Sequence, residues 1–215
     1  MSGALFDWAT PIFVRAARRW TLDDARDFAD MLEPFLTSGG RILDVGGGTG
    51  HLAALLAEAT AHDVVVLDRS SRMLASAAAF PRVSAVQGDA VAMPFDAASF
   101  DAAIVVDALH HMDRQHVVAG ELARVVRPGG GLVVADEDAG GRGVRLVAFV
   151  ERLLGEPAAF LTAASAVRLF AEAGFDGAAQ ARGASSYVFI GARDIGSRPD
   201  RWQAHRAGAS RSQLP

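Results

Sequence analysis

The chain has 215 residues, 51% of them hydrophobic, with a net charge of −4 and no cysteine. This composition excludes disulfides, thiolate metal sites and Cys nucleophiles, and it gives no global attraction to nucleic acid. All 21 basic residues are arginine, which removes lysine Schiff-base and lysine general-base chemistry.

No apolar run approaches the ~20 residues of a membrane span, so no stable membrane insertion is expected. The opening Met-Ser-Gly-Ala-Leu-Phe-Asp-Trp lacks a basic stretch before an apolar core, so no signal peptide is expected either. A cytoplasmic monomer or homodimer is anticipated, with one domain over residues 1–195.

Residues 1–37 read as a helical preamble. Phe6, Trp8, Ile12, Phe13, Ala16, Ala17 and Trp20 recur at helical intervals, and a second helix from Asp23 to about Leu36 presents Ala25, Phe28, Ala29, Leu32 and Phe35 on one side. Strands and helices then alternate. Strands are expected at Ile42–Val45, Val64–Leu67, Val83–Gln87, Ala102–Val106 and Gly131–Ala135, and helices at 50–60, 70–79, 114–126 and 143–154. The strands are continuous apolar runs, which is the pattern of a parallel sheet covered on both faces. Thr162 reads as the N-cap of a helix reaching Ala173 and stopped by Gly174. Ala178–Arg182 and Ser186–Ala192, parted by Gly183-Ala184-Ser185, read as an antiparallel hairpin. Residues 196–215, rich in Gly, Ser, Arg and Pro, read as a loose tail.

The densest signal is Arg41-Ile-Leu-Asp-Val-Gly-Gly-Gly-Thr-Gly50, followed at once by a helical run. A strand turning through glycines into a helix N-terminus offers free N–H groups and lets a ligand approach the backbone. A dinucleotide fingerprint requires glycine three residues after its second glycine. Here that position, counted from Gly46 and Gly48, is His51. An acid closes every parallel strand as well: Asp44, Asp68, Asp89, Asp107 and Asp136. In an open α/β sheet these would share the ligand-binding edge.

The acid followed by G-x-G-x-G resembles motif I of class I S-adenosylmethionine (SAM) methyltransferases. From about Arg41 to Asp136 the chain resembles the methyltransferase type 11 family, which includes ubiquinone/menaquinone-biosynthesis enzymes. Phe100-Asp-Ala-Ala-Ile-Val-Val-Asp-Ala-Leu-His-His-Met resembles the family's strand-four segment, and Glu121-Leu-Ala-Arg-Val-Val-Arg-Pro-Gly-Gly-Gly-Leu its approach to strand five. The resemblance implies an α/β, Rossmann-like, seven-stranded and mainly parallel sheet with a C-terminal antiparallel hairpin, helices on both faces and an N-terminal helical lid.

It also implies a SAM site. Gly46, Gly47, Gly48 and Gly50 would form the glycine turn, with Asp44 orienting it and facing the cofactor's ammonium. Asp68, next to Arg69, would accept both ribose hydroxyls. Met73 would lie beside the adenine or pack in the core. Asp89 and Ala90 would read the adenine edge, and Asp107 would pass the methionine end. The aromatic residues of the preamble would roof a substrate pocket or pack against the domain.

Methyl transfer requires in-line alignment, exclusion of water and, for a protonated acceptor, a base. His110 and His111 follow strand four and suit that task, or they hold their own loop together. Asp136-Glu-Asp138 on an extended segment points its acids in alternating directions, so no metal is expected and a substrate-facing loop is preferred. The expected function is methyl transfer from SAM to a small-molecule O, N or C acceptor. A SAM-binding regulator or partner subunit and an aminopropyl transferase are the alternatives.

Overall fold

The computed structural model describes residues 20–141, 143, 144, 146, 148, 149 and 158–194. The preamble before Trp20, most of the helix expected over 143–154 and the tail lie outside the described residues.

Helix α1 spans Leu22–Leu32. Thr21 and Asp24 cap it reciprocally: the Asp24 N–H donates to the Thr21 hydroxyl (3.2 Å), and the Thr21 N–H donates to the Asp24 carboxylate (2.9 Å). The expected run to Leu36 is shorter as an α-helix, because Pro34 has no N–H to continue the ladder. Glu33–Phe35 form a 3₁₀ turn instead. The face anticipated for this segment, Ala25, Phe28, Ala29, Leu32 and Phe35, is buried.

The rest alternates. Strand β1 is Arg41–Val45, α2 His51–Thr60, β2 Asp63–Asp68, α3 Ser71–Ala77, β3 Val83–Gln87 and β4 Phe100–Val106. Helix α4 follows at Gln115–Val125, then β5 at Val126–Glu137, α5 at Ala163–Glu172, β6 at Phe175–Arg182 and β7 at Ser186–Arg193. Ser70 caps α3 and Thr162 caps α5, each hydroxyl accepting from the backbone three residues on.

Seven strands form one sheet in the order β3-β2-β1-β4-β5-β7-β6. The first five are parallel, and β7 runs antiparallel to both β5 and β6. Strand β5 begins five residues earlier than Gly131. Val126 pairs with Phe100 ahead of a register shift, and the Arg127 guanidinium is pinned to Asp101 at 2.7 Å, so the chain stays extended through Pro128-Gly129-Gly130.

Each sheet face has its own apolar layer. Phe28 and Leu32 of α1, Leu52 and Leu56 of α2 and Leu74 of α3 pack with Ile42, Val64, Val66, Ile104 and Val133 on one side. Val118 and Leu122 of α4 and Phe170 of α5 pack with Leu43, Val65, Val105, Leu132 and Phe189 on the other. Both faces of the parallel strands are therefore dry, and polar chemistry is confined to the strand ends. Strand order reverses between β1 and β4, which places a ligand crevice above their carboxyl ends.

Candidate functional site

The crevice floor is the turn after β1. Gly46, Gly48 and Gly50 all have positive φ, at 76°, 54° and 72°, a conformation that side chains strain to adopt. The turn is also tight. A Cβ on Gly47 would stand 2.2 Å from an Asp44 carboxylate oxygen, one on Gly46 2.6 Å from Ala108 Cβ, and one on Gly50 2.6 Å from Ala77 Cβ. At Gly48 the nearest atom would be the Met73 sulfur, at 3.2 Å. Asp44, the glycines, Met73 and Ala108 thus meet in one place.

Two carboxylates define the electrostatics. The Asp68 carboxylate accepts from the Gly48 N–H at 3.0 Å and the Ser70 N–H at 2.8 Å, leaving lone pairs for further donors. Burial raises its pKa, against the lowering effect of those same hydrogen bonds. Asp44 is buried, and its Oδ2 has no hydrogen-bond partner. Burial first, and then the Asp68 charge, push its carboxyl up to about 7. Arg69 lies only at the rim, largely exposed, with its Nε 4.0 Å from Asp89 Oδ2. Asp89 Oδ1 accepts from the Val91 N–H at 3.1 Å, and Ala90 beside it is buried.

At the end of β4, Asp107 takes a left-handed φ of 48° and its N–H donates to the Ala135 carbonyl at 2.9 Å. His110 then turns inward. Its backbone N–H donates to Asp136 Oδ2 at 3.0 Å and its Nδ1–H to Asp136 Oδ1 at 2.6 Å. The His110 ring stacks on Phe160 at 4.3 Å and lies 4.0 Å from the His111 ring. Of the two histidines, His110 is the buried one and His111 is half-buried. His51, at the first turn of α2, has its Nε2 3.3 Å from the Trp20 carbonyl.

The acids after β5 diverge. Asp136 turns to His110, whereas Asp138 accepts from the Gly140 N–H at 2.8 Å and the Ala163 N–H at 3.0 Å. Glu137 lies between them with a buried Oε2 that has no hydrogen-bond partner. Tyr187, opposite Asp136 on β7, is buried with an unpartnered hydroxyl. Burial, then the charges of Asp136 and Asp138, raise its pKa. Sequence reasoning named Asp136 as a strand-end acid and read Asp136-Glu-Asp138 as a substrate-facing loop, and it singled out neither Tyr187 nor Phe160. These contacts follow from strand register and from the return of the chain at Phe160, which one sequence does not display.

Residues 43–134 match the family model of the methyltransferase domain, type 11. Among curated relatives, 27-O-demethylrifamycin SV methyltransferase of Amycolatopsis mediterranei is 39% identical over 111 residues, covering 47% of this chain and 40% of that protein. A ubiquinone/menaquinone biosynthesis C-methyltransferase of Syntrophotalea carbinolica is 34% identical over 125 residues, covering 55% of this chain and 50% of that protein. The chain thus spans half or less of the length of these relatives. A solved SAM-dependent methyltransferase from Thermotoga maritima has the same fold, with a TM-score of 0.71 at 21% identity over 89% of this chain and 99% of that one. The segment from residue 43 to 134 is thus similar to the type 11 methyltransferase domain, and the relatives that share it are themselves named as methyltransferases.

Proposed function

We propose that the chain is a cytoplasmic SAM-dependent methyltransferase acting on an oxygen, nitrogen or carbon atom of a small molecule. The observation that carries this reading is the pairing of the glycine turn with two acids, a half-buried Asp68 and a buried Asp44 that has an oxygen left unpaired. A pyrophosphate there would face Asp44 and Asp68 with only a rim arginine to offset them. A ligand bearing a sulfonium and an ammonium would be attracted. The residues therefore fit SAM.

When bound, SAM supplies an electrophilic methyl group, and the protein has to position and enclose. Asp68 would accept the ribose hydroxyls, and Asp44 would face the ammonium end. Gly46, Gly47, Gly48 and Gly50 would admit the ligand to the backbone. Arg69, Met73, Asp89 and Ala90 would border the adenine, and Asp107 the methionine end. His110, with Nδ1 committed to Asp136, would take an acceptor proton through Nε2. His111, beside it, is the other candidate base.

Calorimetric titration with SAM, paired with assay of S-adenosylhomocysteine formation against a panel of metabolites, tests this reading. SAM binding with turnover supports it. Tight SAM binding without turnover on any metabolite would favour a regulatory subunit, and binding of NADH instead of SAM would end it.

A further inference from the structure

Strand register places three polar side chains in one lateral row on the face that α1 covers. Glu137 of β5 pairs with Ser186 of β7, and Ser186 pairs with Arg182 of β6. Directly paired residues share a face, and Ala135, two residues before Glu137, belongs to the apolar layer beneath α1. The Arg182 guanidinium lies over the Phe28 ring of α1 at 5.1 Å. The row is at the ligand-binding edge: the Ala135 carbonyl holds the N–H of Asp107.

Both ends of this row are unfinished. Glu137 Oε2 and Arg182 Nη1 are buried without hydrogen-bond partners. Ser186 between them is committed, its hydroxyl donating to the Arg182 carbonyl. Burying an unpaired atom of a charged group costs more than the ~1–3 kcal/mol of a neutral one. Two such atoms with complementary needs, an acceptor and a donor, belong to residues of the same row.

We propose that Glu137 and Arg182 are the two ends of the methyl acceptor's binding site, and that the acceptor is a neutral hydroxy-carbonyl compound. Its hydroxyl donates to Glu137 Oε2, and its carbonyl oxygen accepts from Arg182 Nη1. A carboxylate only accepts and a guanidinium only donates, which fixes the polarity of the ligand. The Arg182 charge is already offset by Asp24 at 3.6 Å and Asp27 at 3.5 Å. A neutral carbonyl therefore suits that end, and an anion would enter an edge crowded with acids. The Cα atoms at the row's ends are two strand spacings apart, roughly 10 Å.

The assignment rests on the methyltransferase reading above, and one experiment separates the two. The full chain, saturated with S-adenosylhomocysteine, is titrated by calorimetry with 4-hydroxyacetophenone, with acetophenone (no hydroxyl) and with 4-ethylphenol (no carbonyl). The hydroxy-ketone should bind at least tenfold tighter than either. Glu137→Met and Arg182→Met should each abolish that advantage while leaving S-adenosylhomocysteine affinity unchanged. Glu137→Met should also raise the Tm of the ligand-free chain, because it removes an unpaired buried charge; a purely structural Glu137 would lower it. Equal or absent binding of the three compounds, or an advantage retained in both variants, overturns the row. Failure of the wild type to bind S-adenosylhomocysteine overturns the methyltransferase reading instead. Should Glu137→Met not fold, Glu137→Leu, which likewise lacks an acceptor, takes its place with the same expected loss.

Discussion

At the scale of single residues, Asp44 is buried and Asp68 half-buried, and the proposed SAM site gives them different tasks. Asp68 is held by two backbone N–H groups, so its carboxylate is oriented before any ligand arrives. Asp68→Ala should weaken SAM binding by about 1.5–3 kcal/mol, the scale of hydrogen bonds to a charged group. Unchanged affinity in calorimetry would remove Asp68 from the site. Asp44 has no such support, and its carboxyl is pushed up from 3.8 to about 7. The folded chain therefore binds this proton more tightly than the unfolded chain does. The associated stability is present below the unfolded value and is lost as pH rises toward and through 7, on the order of 1.4 kcal/mol per pH unit within that window. A cationic ligand prefers the ionised form, so SAM affinity should rise about tenfold from pH 6 to pH 8. Asp44→Asn should flatten that dependence and raise Tm at pH 8. An affinity that does not vary with pH in the wild type would contradict the assigned role.

At the scale of elements, the turn after β1 carries the proposed SAM site, and its glycines fall into two kinds. A side chain on Gly50 would strike Ala77 Cβ at 2.6 Å and Ala77 Cα at 2.9 Å, forcing α2 and α3 apart. On Gly48 it would meet only the flexible Met73 sulfur at 3.2 Å. Both positions also have a positive φ that strains any side chain, so Gly48→Val should abolish SAM binding with an unchanged circular-dichroism spectrum and a modest loss of Tm, whereas Gly50→Val should lose both binding and fold. Equal loss of Tm in the two variants would contradict this division. The spacing of these glycines was legible in the sequence because local geometry demands them. The end of α1 was legible less well: apolar periodicity runs on to Phe35, but Pro34 ends the α-helical ladder at Leu32. The early start of β5 was hidden for another reason. Arg127-Pro-Gly-Gly has no strand signature, and a long-range pair with Asp101 keeps it extended.

At the scale of the molecule, the sheet separates stability from chemistry. The edge opposite the crevice is tied by Asp101, which accepts from the Thr37 N–H (2.7 Å), the Thr37 hydroxyl (2.6 Å) and Arg127 Nε (2.7 Å), while Arg127 also donates to the Phe35 carbonyl at 2.7 Å. Burial raises the Asp101 pKa, but the Thr37 and Arg127 contacts outweigh it and hold it below the usual range. Asp101→Ala should destabilise the chain by about 3–5 kcal/mol, the cost of breaking a largely buried pair. Chemical denaturation would show this with SAM affinity unaltered, and a loss of affinity in the folded fraction would contradict it. A parallel sheet covered on both faces was legible in the continuous Val, Ile, Leu and Ala runs, and the seven-stranded architecture was implied by the family resemblance, whereas the strand order came from the structure. The pairing of His110 with Asp136, and of Glu137 with the β7 row, depends on registers set by the whole sheet and was not legible. The central claim is that the turn between β1 and α2 holds a sulfonium nucleoside. It is tested most directly by calorimetric competition between SAM and NADH on the wild-type chain at pH 8: SAM should bind and NADH should neither bind nor displace it, whereas saturable NADH binding or no SAM binding would contradict the account.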